Sequence, residues 1–251
     1  MDSFGEFARY YRAFFTYTDD MPFWRYAARR YANDKPILYI GPGAGRVMLE
    51  LLSDYEIIGV ERSDGMFAEL KSVLDRASDD RTLKRYELIN KDIRDVKGKI
   101  DSCLAIMPCN VISENHNKRD VSDILRTVAS VMGERARIAF HVDNAASFSS
   151  HREMTVEKHV DIGGLFSGRR RTWIQRDVKN DKLIVEIELL PDDGAGAERL
   201  VRFEHCAMTY KFIRDVADEL GLKIDEMFGS PVEMCCPDPA SASIAVVMRN
   251  V

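Results

Sequence analysis

The segment ILYIGPGAGR, residues 37 to 46, constrains this chain more than any other. Four apolar residues run directly into three glycines in five positions, Gly41, Gly43 and Gly45, and a helix is expected near 45 to 53. A strand that turns through glycines into a helix sets backbone N–H groups and the positive end of a helix dipole at the carboxyl edge of a sheet. That edge is where open α/β sheets bind ligands. Glycines leave the backbone bare, so a ligand can approach it closely.

The surrounding pattern agrees. From Pro36 onward, short apolar runs alternate with amphipathic segments, as expected for a mostly parallel sheet covered on both faces. Strands are expected at 36 to 40, 56 to 61, 86 to 90, 101 to 107 and 135 to 141, and helices near 64 to 77 and 119 to 132, the last ending at Gly133. Residues 4 to 32 are aromatic-rich and read as one or two helices broken near Asp19-Asp20-Met21-Pro22. After Asn144 the rhythm changes. Val185, Ile187 and Leu189 alternate with Glu186 and Glu188, so 171 to 178, 183 to 190 and 199 to 208 are expected as antiparallel strands, with a turn at Asn180-Asp181. A helix at 209 to 220, capped by Thr209 and closed by Gly221, leads to strands near 222 to 228 and 242 to 249.

The ligand class turns on one position. The glycines read G-x-G-x-G, whereas the dinucleotide fingerprint G-x-G-x-x-G would put its third glycine at 46, where Arg46 stands. The next strand ends in Gly59-Val60-Glu61, at the spacing where an acid can accept both hydroxyls of a ribose. A nucleoside-containing cofactor satisfies both signals. The glycine spacing counts against NAD(P), and an NAD(P)-dependent oxidoreductase is the alternative enzyme reading.

Together these segments resemble the class I S-adenosylmethionine-dependent methyltransferases. ILYIGPGAGR is similar to their first motif, VERSDGMF to the second, INKDIRDV to the segment after the third strand, and DSCLAIMPCNVI to the fourth-strand motif. The matches run from about Ile37 to His141, and 209 to 249 extend them to the end of the chain. The resemblance implies a Rossmann-like fold with a mostly parallel seven-stranded sheet and S-adenosyl-L-methionine as cofactor. It also implies one methyltransferase domain over 1–251, with 1–34 as a helical lid and approximately 145–208 as an antiparallel substrate cap. The aromatic N-terminus and the late insertion are similar to the branch acting on small molecules. The methionine moiety would then lie over Gly41, Gly43 and Gly45, with Glu61 on the ribose and Arg62 and Met66 beside the adenine. Asp92 and the Ile93 N–H would meet the adenine edge, and Tyr11, Trp24 and Met107 would complete the cofactor site. The family usually carries an acid at position 39, and this chain has Tyr39. That departure leaves a third reading open, an S-adenosylmethionine-binding module without turnover.

Methyl transfer to nitrogen or oxygen is an in-line displacement that needs alignment and exclusion of water, with a general base where the nucleophile carries a proton. His141, at the end of the fifth strand, is the catalytic candidate, with Asp143 two residues on. His116 is expected in a loop near the substrate, and His151, His159 and His205 in the cap. Arg169-Arg170-Arg171 is a basic cluster suited to an anionic acceptor or to a solvated strand edge.

Composition limits the partners. The net charge of −5 gives no electrostatic footprint for nucleic acid, and no apolar run reaches the ~20 residues that span a bilayer. The five cysteines show no metal-ligand spacing, so no metal is expected and the thiols are expected to be reduced. A cytoplasmic protein acting on a small-molecule acceptor is the expectation, and a homodimer through the cap strands is compatible with the sequence.

Overall fold

The computed structural model describes residues 7–77, 85–114 and 117–250. Two helices come first, α1 (Ala8–Phe14) and α2 (Met21–Tyr31). The alternating core follows as β1 (Ile37–Ile40), α3 (Arg46–Leu51), β2 (Ile57–Glu61), α4 (Asp64–Ala77), β3 (Tyr86–Asn90), β4 (Leu104–Met107), α5 (Lys118–Met132) and β5 (Arg137–Asp143). Four strands are then inserted: β6 (Glu153–Ile162), β7 (Phe166–Asp177), β8 (Lys182–Pro191) and β9 (Glu198–Cys206). The chain returns through α6 (Tyr210–Leu220), β10 (Lys223–Phe228) and β11 (Ser243–Arg249).

The large sheet has the order β10-β11-β5-β4-β1-β2-β3. β5, β4, β1, β2 and β3 run parallel, and β11 is antiparallel to both β5 and β10. Strand alternation divides the core between two faces. Leu38, Ala105, Ile138 and Val246 pack with α5 and α6, while Ile37, Leu104, Ala139 and Val247 pack with α2, α3 and α4. The order reverses between β1 and β4, and β1 ends there in the glycine turn, so the topological switch point and the bare backbone coincide.

The inserted strands form a separate antiparallel sheet in the order β6-β7-β8-β9. Ile187, Leu189, Val201 and Phe203 from this sheet pack against Phe7, Ala8, Tyr10 and Phe14 of the N-terminal segment, and Met66 of α4 joins them. The aromatic residues of α1 are thus the cement between the two sheets, because neither the short helix nor one face of a four-stranded sheet can bury its apolar side alone.

Two expectations need correction here. Three inserted strands are expected from the sequence and four are present; β6 is the addition, an edge strand with most of its side chains exposed. The basic run is no solvated strand edge: β7 pairs with both β6 and β8, and while Arg169 is exposed and Arg171 partly so, Arg170 is 6% exposed.

Candidate functional site

The glycine turn adopts left-handed backbone angles at Gly41 (φ 64°), Gly43 (φ 56°) and Gly45 (φ 88°), where side chains are costly. The three glycines serve different ends. A Cβ on Gly41 would stand 2.6 Å from a Val111 methyl, and one on Gly45 would stand 2.8 Å from Leu70, so both positions are closed by packing. A Cβ on Gly43 would instead point toward the Tyr11 ring, 3.7 Å away across a crevice.

Glu61, at the carboxyl end of β2, reaches back to this turn. Its Oε2 accepts the Gly43 N–H at 3.0 Å and its Oε1 accepts the Ser63 N–H at 2.9 Å. Ser63 also caps α4, its Oγ accepting the Met66 N–H at 3.2 Å, so one residue fixes both the acid and the following helix. Burial pushes the Glu61 carboxyl above its ordinary value, against the pull of the Ser63 and Gly43 N–H groups. A carboxylate has about four lone-pair sites, and the backbone N–H groups of Ser63, Gly43 and Arg62 draw on part of them, leaving acceptor capacity toward the crevice.

The crevice is lined by Gly41, Gly43, Glu61, Arg62, Met66, Asp92 and Ile93, with Tyr11 and Tyr39 on its walls. It encloses about 80 Å³. Trp24, Gly45 and Met107 do not line it. Trp24 is fully buried and its Nε1 donates to Asp20 at 2.9 Å; Met107 is fully buried in the core against α5. Asp92 reaches the wall with its carboxylate already engaged. It accepts from the Arg94 N–H and Nε, both at 2.9 Å, and from Nη2 at 2.8 Å, while Arg94 Nη1 continues to Asp120 at 2.7 Å. Burial raises the Asp92 carboxyl, but the Arg94 bonds outweigh this and hold it below the usual carboxylate range.

Arg46 opens α3 and does something no glycine at that position can do. Its Nη1 and Nη2 donate to Asp20 Oδ1 at 2.6 Å and Oδ2 at 2.8 Å, and it also reaches the Tyr17 carbonyl (2.8 Å) and Cys109 Sγ (2.8 Å). The guanidinium lies 4.1 Å from the centre of the Tyr17 ring. The approach to α2 is thereby fastened to the glycine turn and to the end of β4. Sequence reading missed this cluster; its only signal was an arginine in place of the fingerprint glycine.

A second cavity of about 400 Å³ lies between the end of β5 and the inserted sheet. Tyr11, Cys109 and Glu114 line both cavities and mark where they meet. Cys109 (φ 57°) and Asn110 (φ 64°) are both left-handed, a strained pair that turns the chain sharply after β4. Asn110 secures this turn to β5: its N–H donates to the His141 carbonyl (3.0 Å), its Nδ2 to Asp143 Oδ2 (2.9 Å), and its Oδ1 accepts the Asp143 N–H (2.7 Å). His141 and Asp143 both face this second cavity. Burial drives the His141 imidazole down to about 4, with Asp20 opposing and Arg46 assisting, and its Nδ1 has no hydrogen-bond partner. Burial drives the Asp143 carboxyl up to about 6, against the Asn110 hydrogen bond.

His205 also lines this cavity, whereas His151 is exposed and His159 pairs at the surface with Asp192 (2.9 Å). His116 lies outside the described residues. Among the described residues no group of three or more His, Cys, Asp or Glu side chains could hold a metal ion, and no helix is long and apolar enough to cross a membrane.

No family model and no curated protein matches this sequence. Solved structures do match in three dimensions. The CcbJ methyltransferase from Streptomyces caelestis superimposes with a TM-score of 0.76 over 100% of this chain and 97% of its own, at 16% identity. An S-adenosylmethionine-dependent methyltransferase from Clostridium acetobutylicum gives 0.74, covering 98% of each chain at 14% identity. CalS10, an amino pentose methyltransferase from Micromonospora echinaspora solved with S-adenosylmethionine bound, gives 0.66 over 96% and 94% at 13% identity. The chain has the Rossmann-like fold of these methyltransferases. The likeness includes the inserted sheet and the N-terminal helices, since it covers nearly all of each chain.

Proposed function

We propose that this protein transfers a methyl group from S-adenosyl-L-methionine to a nitrogen or oxygen of a small molecule, as one domain with α1 and α2 as its lid and the inserted sheet as its substrate cap. The observation that carries this reading is Glu61 bound across the glycine turn to Gly43, beside a second cavity that meets the crevice at Tyr11 and Cys109. A glycine turn that offers N–H groups and a buried acid with spare acceptor positions suits an amino-acid tail and a ribose joined together.

In this reading, Gly43 leaves room for the methionine moiety, the Gly41 backbone lines its place, and Glu61 accepts the ribose hydroxyls. Met66, Arg62, Ile93 and Asp92 flank the adenine. Tyr39 brings a buried phenol to a wall where an acid would hold the ammonium. The nearby carboxylate, Asp20, is committed to Arg46 and Trp24. Tyr11 stacks on Phe15 with ring centres 4.5 Å apart and covers Gly43, and it excludes water from the junction of the two cavities.

When bound, S-adenosylmethionine supplies an electrophilic methyl on a sulfonium. With it bound, the acceptor's lone pair would displace the sulfide from that carbon, and the acceptor would then have to give up its proton. Asp143, with its carboxyl near 6, is matched to take that proton close to neutral pH. His141 is uncharged there and too weakly basic to compete. Its unpartnered Nδ1 orients the acceptor by a hydrogen bond. Calorimetry with S-adenosylmethionine and with NAD tests the reading: binding of the first and not the second supports it, and the reverse overturns it.

A further inference from the structure

Three consecutive arginines in β7 do not share one fate. Alternation places Arg169 and Arg171 on one face, where both pair with Glu157 of β6, and turns Arg170 to the other. Arg170 lines the second cavity and is 6% exposed. Its Nη1 donates to the Phe14 carbonyl at 2.8 Å, and its guanidinium carbon lies 5.5 Å and 5.9 Å from the Phe14 and Phe15 ring centres. Its Nε is buried without a hydrogen-bond partner. Among the described residues no carboxylate forms an ion pair with it.

This is a costly arrangement. A guanidinium cannot shed its proton to escape burial, and a buried charge without a counter-charge is destabilising by several kcal/mol. Aromatic faces offset part of that cost and leave the charge itself uncompensated. Proteins retain such groups where a ligand completes them, at the expense of stability in the free state. The wall around Arg170 is largely apolar, with Phe7, Phe15, Ile174, Val185, Ile187 and Phe203, interrupted by Thr155 and Thr172. Lys158 also lines this cavity but is exposed, so Arg170 is the buried cation of this wall.

We infer that Arg170 is the recognition point for a carboxylate on the methyl acceptor, which makes the substrate an amino- or hydroxy-carboxylate with an apolar body. The proposal rests on the methyltransferase reading and names the substrate class for the same site. The acceptor's nucleophile lies near Asp143 and His141, its body against the aromatic wall, and its carboxylate on the guanidinium. Arg170 is the one buried cation lining this cavity among the described residues, which matches a monoanion; a phosphate dianion would bring a second charge whose nearest cation, Lys158, is exposed.

The test uses the full chain with two probes of equal shape, phenylacetate and the neutral phenylacetamide. Each is titrated calorimetrically with and without S-adenosylhomocysteine into the wild type, Arg170→Gln and Arg170→Lys. Phenylacetate is expected to bind about tenfold or more tightly than the amide, the worth of a charge-assisted hydrogen bond. That preference disappears in Arg170→Gln and survives in part in Arg170→Lys. Equal binding of the two probes, no binding of phenylacetate, or a preference that persists in Arg170→Gln overturns the inference. If Arg170→Gln does not fold, the wild type and Arg170→Lys decide it by the same comparison. Failure of S-adenosylhomocysteine to bind the wild type overturns the methyltransferase reading instead, and the probe titrations without it still decide the role of Arg170.

Discussion

Arg46 and Asp20 meet in a two-point ion pair, Nη1 to Oδ1 at 2.6 Å and Nη2 to Oδ2 at 2.8 Å, with the two side chains 11% and 2% exposed. Removing one member strands the other as a buried charge, at a cost of about 3–5 kcal/mol. Asp20→Asn and Arg46→Met are each expected to lower the unfolding free energy from urea titration by that much. The double variant loses less than the sum of the two, and a double-mutant cycle measures the difference.

The same pair sets an acid limit. Burial raises the Asp20 carboxyl, but Arg46 outweighs burial and holds it below its ordinary value. A depressed carboxyl stabilises the fold above the unfolded-state value of about 3.9, and that contribution is lost as pH falls through the folded-state value. Below pH 4 the wild type is expected to lose stability faster than Asp20→Asn, as followed by circular dichroism in urea.

Asp143 has the opposite sign. With its carboxyl near 6, the folded state keeps a proton that the unfolded chain releases at about 3.9, so stability falls as pH rises through 6. Asp143→Asn keeps an acceptor for Asn110 Nδ2 and removes that loss, so its stability relative to the wild type grows between pH 4 and 7. The methyl-transfer rate should climb as Asp143 ionises, and the variant should lack that limb of the pH–rate profile.

Glu61→Gln places an amide NH₂ opposite one of two N–H groups, Gly43 or Ser63, and gives up charge-assisted acceptance of the ribose. S-adenosylhomocysteine should bind about tenfold or more weakly in calorimetry. An unchanged affinity would remove Glu61 from the cofactor site.

Alanine at two glycines should separate packing from binding. Gly41→Ala drives a Cβ to 2.6 Å from Val111 and is expected to destabilise the fold as well as weaken binding. Gly43→Ala meets only ordinary contact with Tyr11, so its stability cost is the roughly 1–2 kcal/mol of a left-handed residue. Its affinity for the cofactor should fall further than that, and thermal denaturation beside calorimetry resolves the two.

Much of this architecture is legible in the residues. The apolar runs of β1, β2 and β4 are long enough and buried enough to be read directly, and their helices carry a one-sided apolar stripe. β6 escapes because Glu153, Glu157, Lys158 and Asp161 make it look like loop. The signal for it is the spacing of Val156, Val160 and Ile162, one face of a pleat, which a bulge before Val156 separates from the exposed Met154. Glu61 is placed by counting from the glycines. The Asp20, Arg46 and Cys109 cluster cannot be placed that way, since it joins three segments whose proximity exists only after α2 docks on the sheet. Arg170 sits between extremes: alternation separates it from its neighbours, but only the position of the inserted sheet says which face is inside.

Tyr11, Cys109 and Glu114 belong to the walls of both cavities, yet they come from two separate stretches of chain: Cys109 and Glu114 from the loop after β4, and Tyr11 from α1, outside the alternating core. The two cavities therefore share a doorway, one side of which is the N-terminal helix. Exchanging the inserted sheet for that of another protein of this fold would remake the larger cavity, while exchanging the helix would alter both, because Tyr11 walls each of them.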